Sequence, residues 1–294
     1  MASVTNTSTT AINKNLILPD VYAQLVREKI AGKCKVAQFL VHLGDLHGKV
    51  GETLTMPKWA YVGDAKDWDI SKPMDVTQMK QTSTTATIKA IQAPAVKVAD
   101  YDDETELGNA IDEAASQQAV GVARKYDTDA IACALESPLK YKLATKNTVT
   151  QTELISILGL YGDDRDSADF DAIVVHSSFA PSFYTMDMFV KRDLTMTKDG
   201  AGIAVNGCIG YFLNIPVVLS DRLYDSTNKE GFILVMKKNA ISIIPKENPF
   251  AEASRDASLR QTTIYLSQFY AMALTDDEAI VYAKTVLPTS DDSQ

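Results

Sequence analysis

The sequence predicts an α+β fold on three observations: a Thr-rich β-hairpin pattern over about Glu52–Ala93, one long amphipathic helix over about Glu104–Glu136, and mixed helices and strands only after Thr148. The order is informative in itself. An enzyme core rarely places its largest polar excursion and its longest helix ahead of its sheet, so the pattern points to a building block whose projections touch other copies.

Met1–Asn15 is rich in Ser, Thr and Asn and buries too little apolar surface to offset its ordering entropy, so a flexible arm is expected there. Val21, Leu25, Val26 and Ile30 fall at helical spacing behind Pro19 and Asp20, which predicts a helix over Leu16–Phe39 that Gly32 interrupts or ends. From Glu52 the period changes. Thr53–Met56 alternates, and Thr82–Ile91 is dense in β-branched residues, as paired strands require. Between them Lys58–Lys80 mixes Asp and Lys and holds both tryptophans, Trp59 and Trp68. A structureless loop that long is uncommon inside a compact domain, so an extended, projecting hairpin is expected. Each Trp is either folded back on its own core or held for a partner.

The next helix opens with Asp103-x-x-Glu106, a capping-box-like pair. It lines Leu107, Ile111, Ala114, Ala115, Val122, Tyr126, Ala130 and Cys133 along one face, with Asp112, Glu113, Gln117, Arg124, Lys125 and Asp127 on the other. It should stop before Ser137-Pro138, after about 45 Å at 1.5 Å per residue. A helix of that length acts as a spine. Beyond Thr148 the chain reads as helix 151–160, strand 171–176, helix 178–191, a Gly-rich loop over Gly200–Gly207, then strands 215–220, 232–237 and 240–244, an α/β or α+β unit around a central sheet. Two further β patterns, 262–271 and 278–286, lead to a polar tail.

Composition narrows the function classes. With 46% hydrophobic and 23% charged residues the chain is an ordinary globular one, and 294 residues can remove roughly 75% of the unfolded surface from water. The net charge of −9 is spread along the chain, leaving no basic stripe for sequence-specific nucleic-acid binding. Cys34, Cys133 and Cys208 show no metal or disulfide spacing and read as buried free thiols in a reducing compartment. No secretory signal and no apolar run near the ~20 residues needed to span a bilayer is present.

Catalytic chemistry finds little support. His42 and His47 flank Asp45 but lack a third ligand nearby and read as surface residues at the hairpin entry. His176 ends an apolar strand beside Ser177 and Ser178, a position where α/β enzymes often act, yet no Gly-x-Ser-x-Gly elbow accompanies it. Gly200–Gly207 has the glycines of a phosphate loop but is followed by β pattern instead of a helix, so a turn is expected. The acid pairs 163/164 and 276/277 read as solvated turns or caps. No catalytic, cofactor or metal residue is predicted.

Two stretches carry a resemblance. Gly200-Ala-Gly-Ile-Ala-Val-Asn-Gly-Cys-Ile-Gly-Tyr-Phe-Leu-Asn-Ile-Pro-Val-Val-Leu-Ser-Asp221, and Lys237–Lys246 leading to Glu252-x-x-Arg255-Asp256, are similar to motifs of tailed-bacteriophage major capsid proteins with the Hong Kong 97-type fold, more narrowly the N4-type capsid proteins. The resemblance implies an N-terminal arm (1–35), an extended hairpin loop and its base (36–100), a spine helix with part of a peripheral domain (101–147), an axial domain (148–245), and peripheral strands with a tail (246–294), those strands including Thr262–Ala271 and Ile280–Thr285. It implies a non-enzymatic subunit that forms pentamers and hexamers in an icosahedral shell around double-stranded DNA, in a virion assembled in the host cytoplasm. Lys58, Trp59, Tyr61, Lys66, Trp68 and Lys72 are then the expected intersubunit contacts. Some relatives crosslink a hairpin Lys to an Asn, but no acidic partner can be assigned here and no crosslink is predicted. Scaffolding, portal and decoration proteins are the implied partners, the scaffold as a separate chain, with no membrane. Two alternatives stand beside this: an encapsulin-type nanocompartment, which shares the fold, and an α/β enzyme using His176.

Overall fold

The computed structural model describes residues 19–44, 49–59, 65, 67, 78–79, 81–101, 110–163, 166–190, 207–246 and 249–287. Helix α1 (Pro19–Ala31) has Pro at its first position, where a missing N–H costs nothing, and buries Tyr22, Ala23, Val26 and Ile30. Of the helical pattern over Leu16–Phe39, residues 16–18 lie outside the described residues, and the helix ends just before Gly32, the expected break. Lys33 and Cys34 N–H both bond back to Ile30, and Ala37–Phe39 forms a separate 3-10 turn before β1 (Val41–His42).

Strands β2 (Thr53–Trp59) and β3 (Gln81–Thr87) pair in unbroken register from Thr53↔Thr87 to Trp59↔Gln81. The hairpin ends at Thr87, not Ala93. After Ile88 the chain enters a different sheet as β4 (Lys89–Gln92) and, past Pro94, β5 (Val96–Ala99). The spine, α2 (Ala110–Ala134), spans 25 residues or about 37 Å. Its expected start and the Asp103-x-x-Glu106 cap lie outside the described residues. Strand β6 (Lys140–Lys142) follows, then α3 (Gln151–Gly159), opened by a full capping box in which Glu153 N–H donates to Thr150 Oγ1 (3.3 Å) and Thr150 N–H to Glu153 Oε2 (2.8 Å).

After β7 (Phe170–Val175) the single helix expected over Ser178–Lys191 is replaced by α4 (Ala180–Tyr184) and α5 (Asp187–Val190). Tertiary packing wins over local pattern here. The Phe189 ring sits directly on Gly210, where an added Cβ would lie 2.4 Å from it. Then come β8 (Cys208–Phe212), β9 (Ile215–Leu219), β10 (Tyr224–Asp225), β11 (Glu230–Gly231), β12 (Ile233–Lys237), β13 (Ile241–Pro245), β14 (Phe250–Asp256), β15 (Gln261–Leu274) and β16 (Ile280–Lys284). Strand β14 was not anticipated from its sequence, whose alternation is weak and largely exposed.

Two six-stranded sheets result. In the first, β15 is central: β13 and β14 pair along one side, β4 and β5 along the other, and β1 adds to β13. The second runs β6-β16-β12-β7-β9-β8. Ile280–Lys284 pairs with β12 and β6, while Ile241–Pro245 pairs with β15.

One core joins these layers. Ile264, Leu266, Tyr270, Met272 and Leu274 of β15 meet α1, the buried stripe of α2, and Ala172, Val174, Leu234, Met236 and Tyr282 from one face of the second sheet. The opposite face of that sheet packs Ile173, Val175, Val217, Val235 and Val281 against α3, Phe179 and Phe183.

Candidate intersubunit surface

The hairpin is anchored by its root. Met56, Ala86 and Ile88, all nearly inaccessible, close over Ala271 and Ala273 on the outer face of β15, with Leu54, Ile244 and Phe269 at the margin. The two alanines explain the close seat, since larger residues there would lift the ribbon off the sheet. The opposite face of the ribbon exposes Thr53, Thr55, Ser83, Thr85 and Thr87. Of the expected contact residues, Lys58 and Trp59 are in β2, in register with Thr82 and Gln81. Tyr61, Lys66, Trp68 and Lys72 lie outside the described residues.

Three polar residues of α2 tie the root and the N-terminal helix to the spine, and sequence reasoning missed all three. Buried Gln118 donates from Nε2 to the Pro94 carbonyl (2.9 Å) and the Ile264 carbonyl (3.2 Å), and accepts from Tyr22 Oη at 2.9 Å. Asp129, 5% exposed, takes the Tyr270 hydroxyl and Lys125 Nζ (3.0 Å), with Lys89 Nζ at 3.5 Å. Burial works against its ionised form, but Tyr270 and the two ammonium groups hold its carboxyl below the usual range. Because Lys89 directly follows the hairpin, this cluster fixes the point where the ribbon leaves the sheet.

Asp127, read from the sequence as solvent-facing, is 3% exposed. Its carboxylate accepts the N–H groups of Lys35 (3.1 Å), Val36 (2.8 Å) and Ala37 (2.8 Å), capping the 3-10 turn from across the molecule. Burial pushes this carboxyl up, against the pull of the three amides. A signal existed for two of the three: Gln118 and Asp129 fall on the apolar stripe of Val122, Tyr126 and Cys133 at helical spacing.

His176 is bound into local structure. Its Nδ1 lies 2.9 Å from Ser178 Oγ and accepts Ser178 N–H, so it caps the 3-10 turn over Ser177–Phe179, and its ring lies against Tyr224 at 5.2 Å. Asn147 Oδ1 accepts Gly231 N–H (2.8 Å) and Ser178 Oγ–H (3.3 Å). A nucleophilic pair needs the hydroxyl bound to an imidazole whose other nitrogen is oriented by a third group; here Ser178 engages Nδ1 in a two-residue cap. His42 is exposed on β1, and Asp45 and His47 lie outside the described residues. Among the described residues no cluster of three His, Cys, Asp or Glu could hold a metal ion, and no helix is long and apolar enough to cross a membrane. Of the glycine loop only Gly207 is described; its φ of +78° makes a turn into β8. All three cysteines are buried and free, Cys34 pushed to about 12 and Cys133 to about 11 chiefly by burial.

No protein-family model matches the chain. In sequence it is 26% identical over 270 residues to the major capsid protein of Staphylococcus phage phiMR11, a match covering 91% of this chain and 93% of that one. In structure it is similar to the capsid of cyanophage P-SCSP1u (TM-score 0.56, 14% identity, 84% of this chain and 88% of that one). It is also similar to the virus-like particle from Pyrococcus furiosus (TM-score 0.55, 10% identity, 90% of this chain and 98% of that one). The chain has a capsid-protein fold.

Proposed function

We propose that this chain is a phage major capsid protein: a structural, non-catalytic subunit that self-assembles as pentamers and hexamers into the icosahedral head around double-stranded DNA. The carrying observation is the sequence match to a phage major capsid protein over 91% of this chain and 93% of that one, on a fold similar to that of solved phage capsids. In this reading 1–35 is the arm, the hairpin with Lys58, Trp59, Tyr61, Lys66, Trp68 and Lys72 reaches a neighbouring copy, α2 is the spine of the Hong Kong 97-type, N4-like subunit, and the sheet holding β7 and β12 is the axial unit. The net charge of −9 suits a lining that must not grip its DNA. Scaffolding, portal and decoration proteins would be its partners during assembly in the host cytoplasm.

Fold likeness extends equally to the virus-like particle from Pyrococcus furiosus, and the sequence match to a phage major capsid protein supports the phage reading over the encapsulin one. The test is sedimentation and negative-stain microscopy of the chain, expressed alone and with a scaffold. Closed shells or capsomer rings are expected, and a variant lacking 58–80 should fold without closing shells. A strictly monomeric wild-type particle under every condition would overturn the reading.

A further inference from the structure

Charge is unevenly placed on this chain. Strand β6, at the edge of the second sheet, and the loops beside its end carry Lys140, Lys142, Lys146 and Lys229, all four exposed. Among the described residues no carboxylate pairs with any of them. Lys140 Nζ lies over the Tyr282 ring at 5.7 Å, and Lys146 Nζ donates to the Asn228 carbonyl, which brings Lys146 beside Lys229. The nearby acids are already engaged. Asp225 takes Lys284 Nζ (3.7 Å), Thr227 N–H (2.9 Å) and Asn228 Nδ2 (3.1 Å). Glu153 accepts the N–H groups of Ala144 (3.0 Å) and Thr150 (2.8 Å), and Glu230, 1% exposed, accepts that of Val286 (3.3 Å).

Backbone donors sit in the same place. Tyr282 N–H bonds to the Leu139 carbonyl and Leu143 N–H to the Lys284 carbonyl, so residues 139 and 143 face β16. By alternation Lys140 and Lys142 turn their N–H groups to the open edge, with which nothing pairs among the described residues. Lysine on an edge strand also blocks a foreign strand, which accounts for Lys140 and Lys142. It does not account for Lys146 and Lys229, which lie off the strand. Ammonium groups beside free backbone N–H donors are what phosphate oxygens accept from. Lysines two apart on a strand are separated by ~6.6 Å, close to two charge steps of one DNA strand at ~3.4 Å each, so the spacing favours a phosphodiester backbone.

We propose that this edge, with Lys140, Lys142, Lys146 and Lys229, holds the phosphate backbone of double-stranded DNA without regard to base sequence. This rests on the shell-subunit reading, which supplies the DNA, and names the residues that would touch it. Because the whole chain carries a net charge of −9, the rest of its surface repels phosphate and confines contact to this edge.

The test is fluorescence anisotropy of a labelled, random-sequence DNA duplex titrated with the full chain, kept unassembled by dilution, across a series of salt concentrations. Four engaged lysines should give a log–log salt slope of about −3 to −4, or roughly 100-fold weaker binding at about 200 mM salt than at about 50 mM. Lys142→Gln, Lys146→Gln and Lys229→Gln together should remove most of that slope. The same change at three other exposed lysines, Lys33, Lys49 and Lys97, alters net charge equally and should leave the slope nearly intact. Equal weakening by both triple variants, or no binding by the wild type, would refute the site. Displacement of the duplex by polyglutamate as readily as by unlabelled DNA would overturn the choice of DNA and assign the edge to an acidic protein. Negative-stain microscopy keeps the two readings apart: particles from a chain that binds no DNA would sink this inference alone, and DNA binding by a chain that never forms particles would sink the shell reading.

Discussion

Replacing Asp127 by Ala removes, at once, the acceptor of three backbone N–H groups. Val36 is fully buried, so its N–H would carry the whole cost of an unsatisfied group, about 1–3 kcal/mol; Lys35 and Ala37 are partly accessible and can recruit water, which leaves roughly 2–4 kcal/mol in total. Cavity formation adds little, because only a carboxylate is lost. For a chain of this size that is a drop in melting temperature of about 5–12 °C. Circular dichroism melting measures the global effect, and native-state amide exchange localises it: residues 35–37 should lose protection while the centre of α2 keeps its own. Asp127→Asn should fall between, since Oδ1 still accepts from Val36 and Ala37 while the new amide faces the Lys35 donor. An Ala variant that melts within a degree of wild type with unchanged exchange at 35–37 would refute the reasoning.

Two further outcomes follow from the same structure. Asp129 has a depressed carboxyl, so its contribution to stability is complete above the ordinary carboxylate value near 4 and is lost as pH falls through its own lower value. Asp129→Asn should therefore be destabilised by about 1–3 kcal/mol at neutral pH and show a flatter acid limb in a pH series of urea melts; an equally steep limb would exclude Asp129 as its source. A Cβ added at Gly231 would lie 2.7 Å from both His176 Cβ and Ser178 Oγ, whereas one added at Gly121 meets only Pro94 Cδ at an ordinary 3.5 Å. Thermal melts should show Gly231→Ala clearly destabilised and Gly121→Ala neutral or stabilised by up to ~1 kcal/mol through helix propensity; the reverse order would contradict the described packing.

Much of the architecture was legible because it rests on local signals. The Thr-rich alternation gave the ribbon, and the apolar stripe gave the spine to within its described limits. What was illegible depends on partners distant in sequence. Nothing near Asp127 announces that residues 35–37 will surround it, and nothing in Ser178–Lys191 shows that Phe189 must bend inward onto Gly210.

The seat of the hairpin on β15 also constrains how the chain is made. Ala86 and Ala271 are about 185 positions apart, and synthesis at roughly 5–20 residues per second leaves Met56 and Ile88 without their pad for about 10–40 s after they emerge. Strands β4 and β5 wait as long, because their partner is the same late strand. Each new chain therefore passes through an interval in which its ribbon can pair and the sheet that seats the ribbon's root cannot yet have formed.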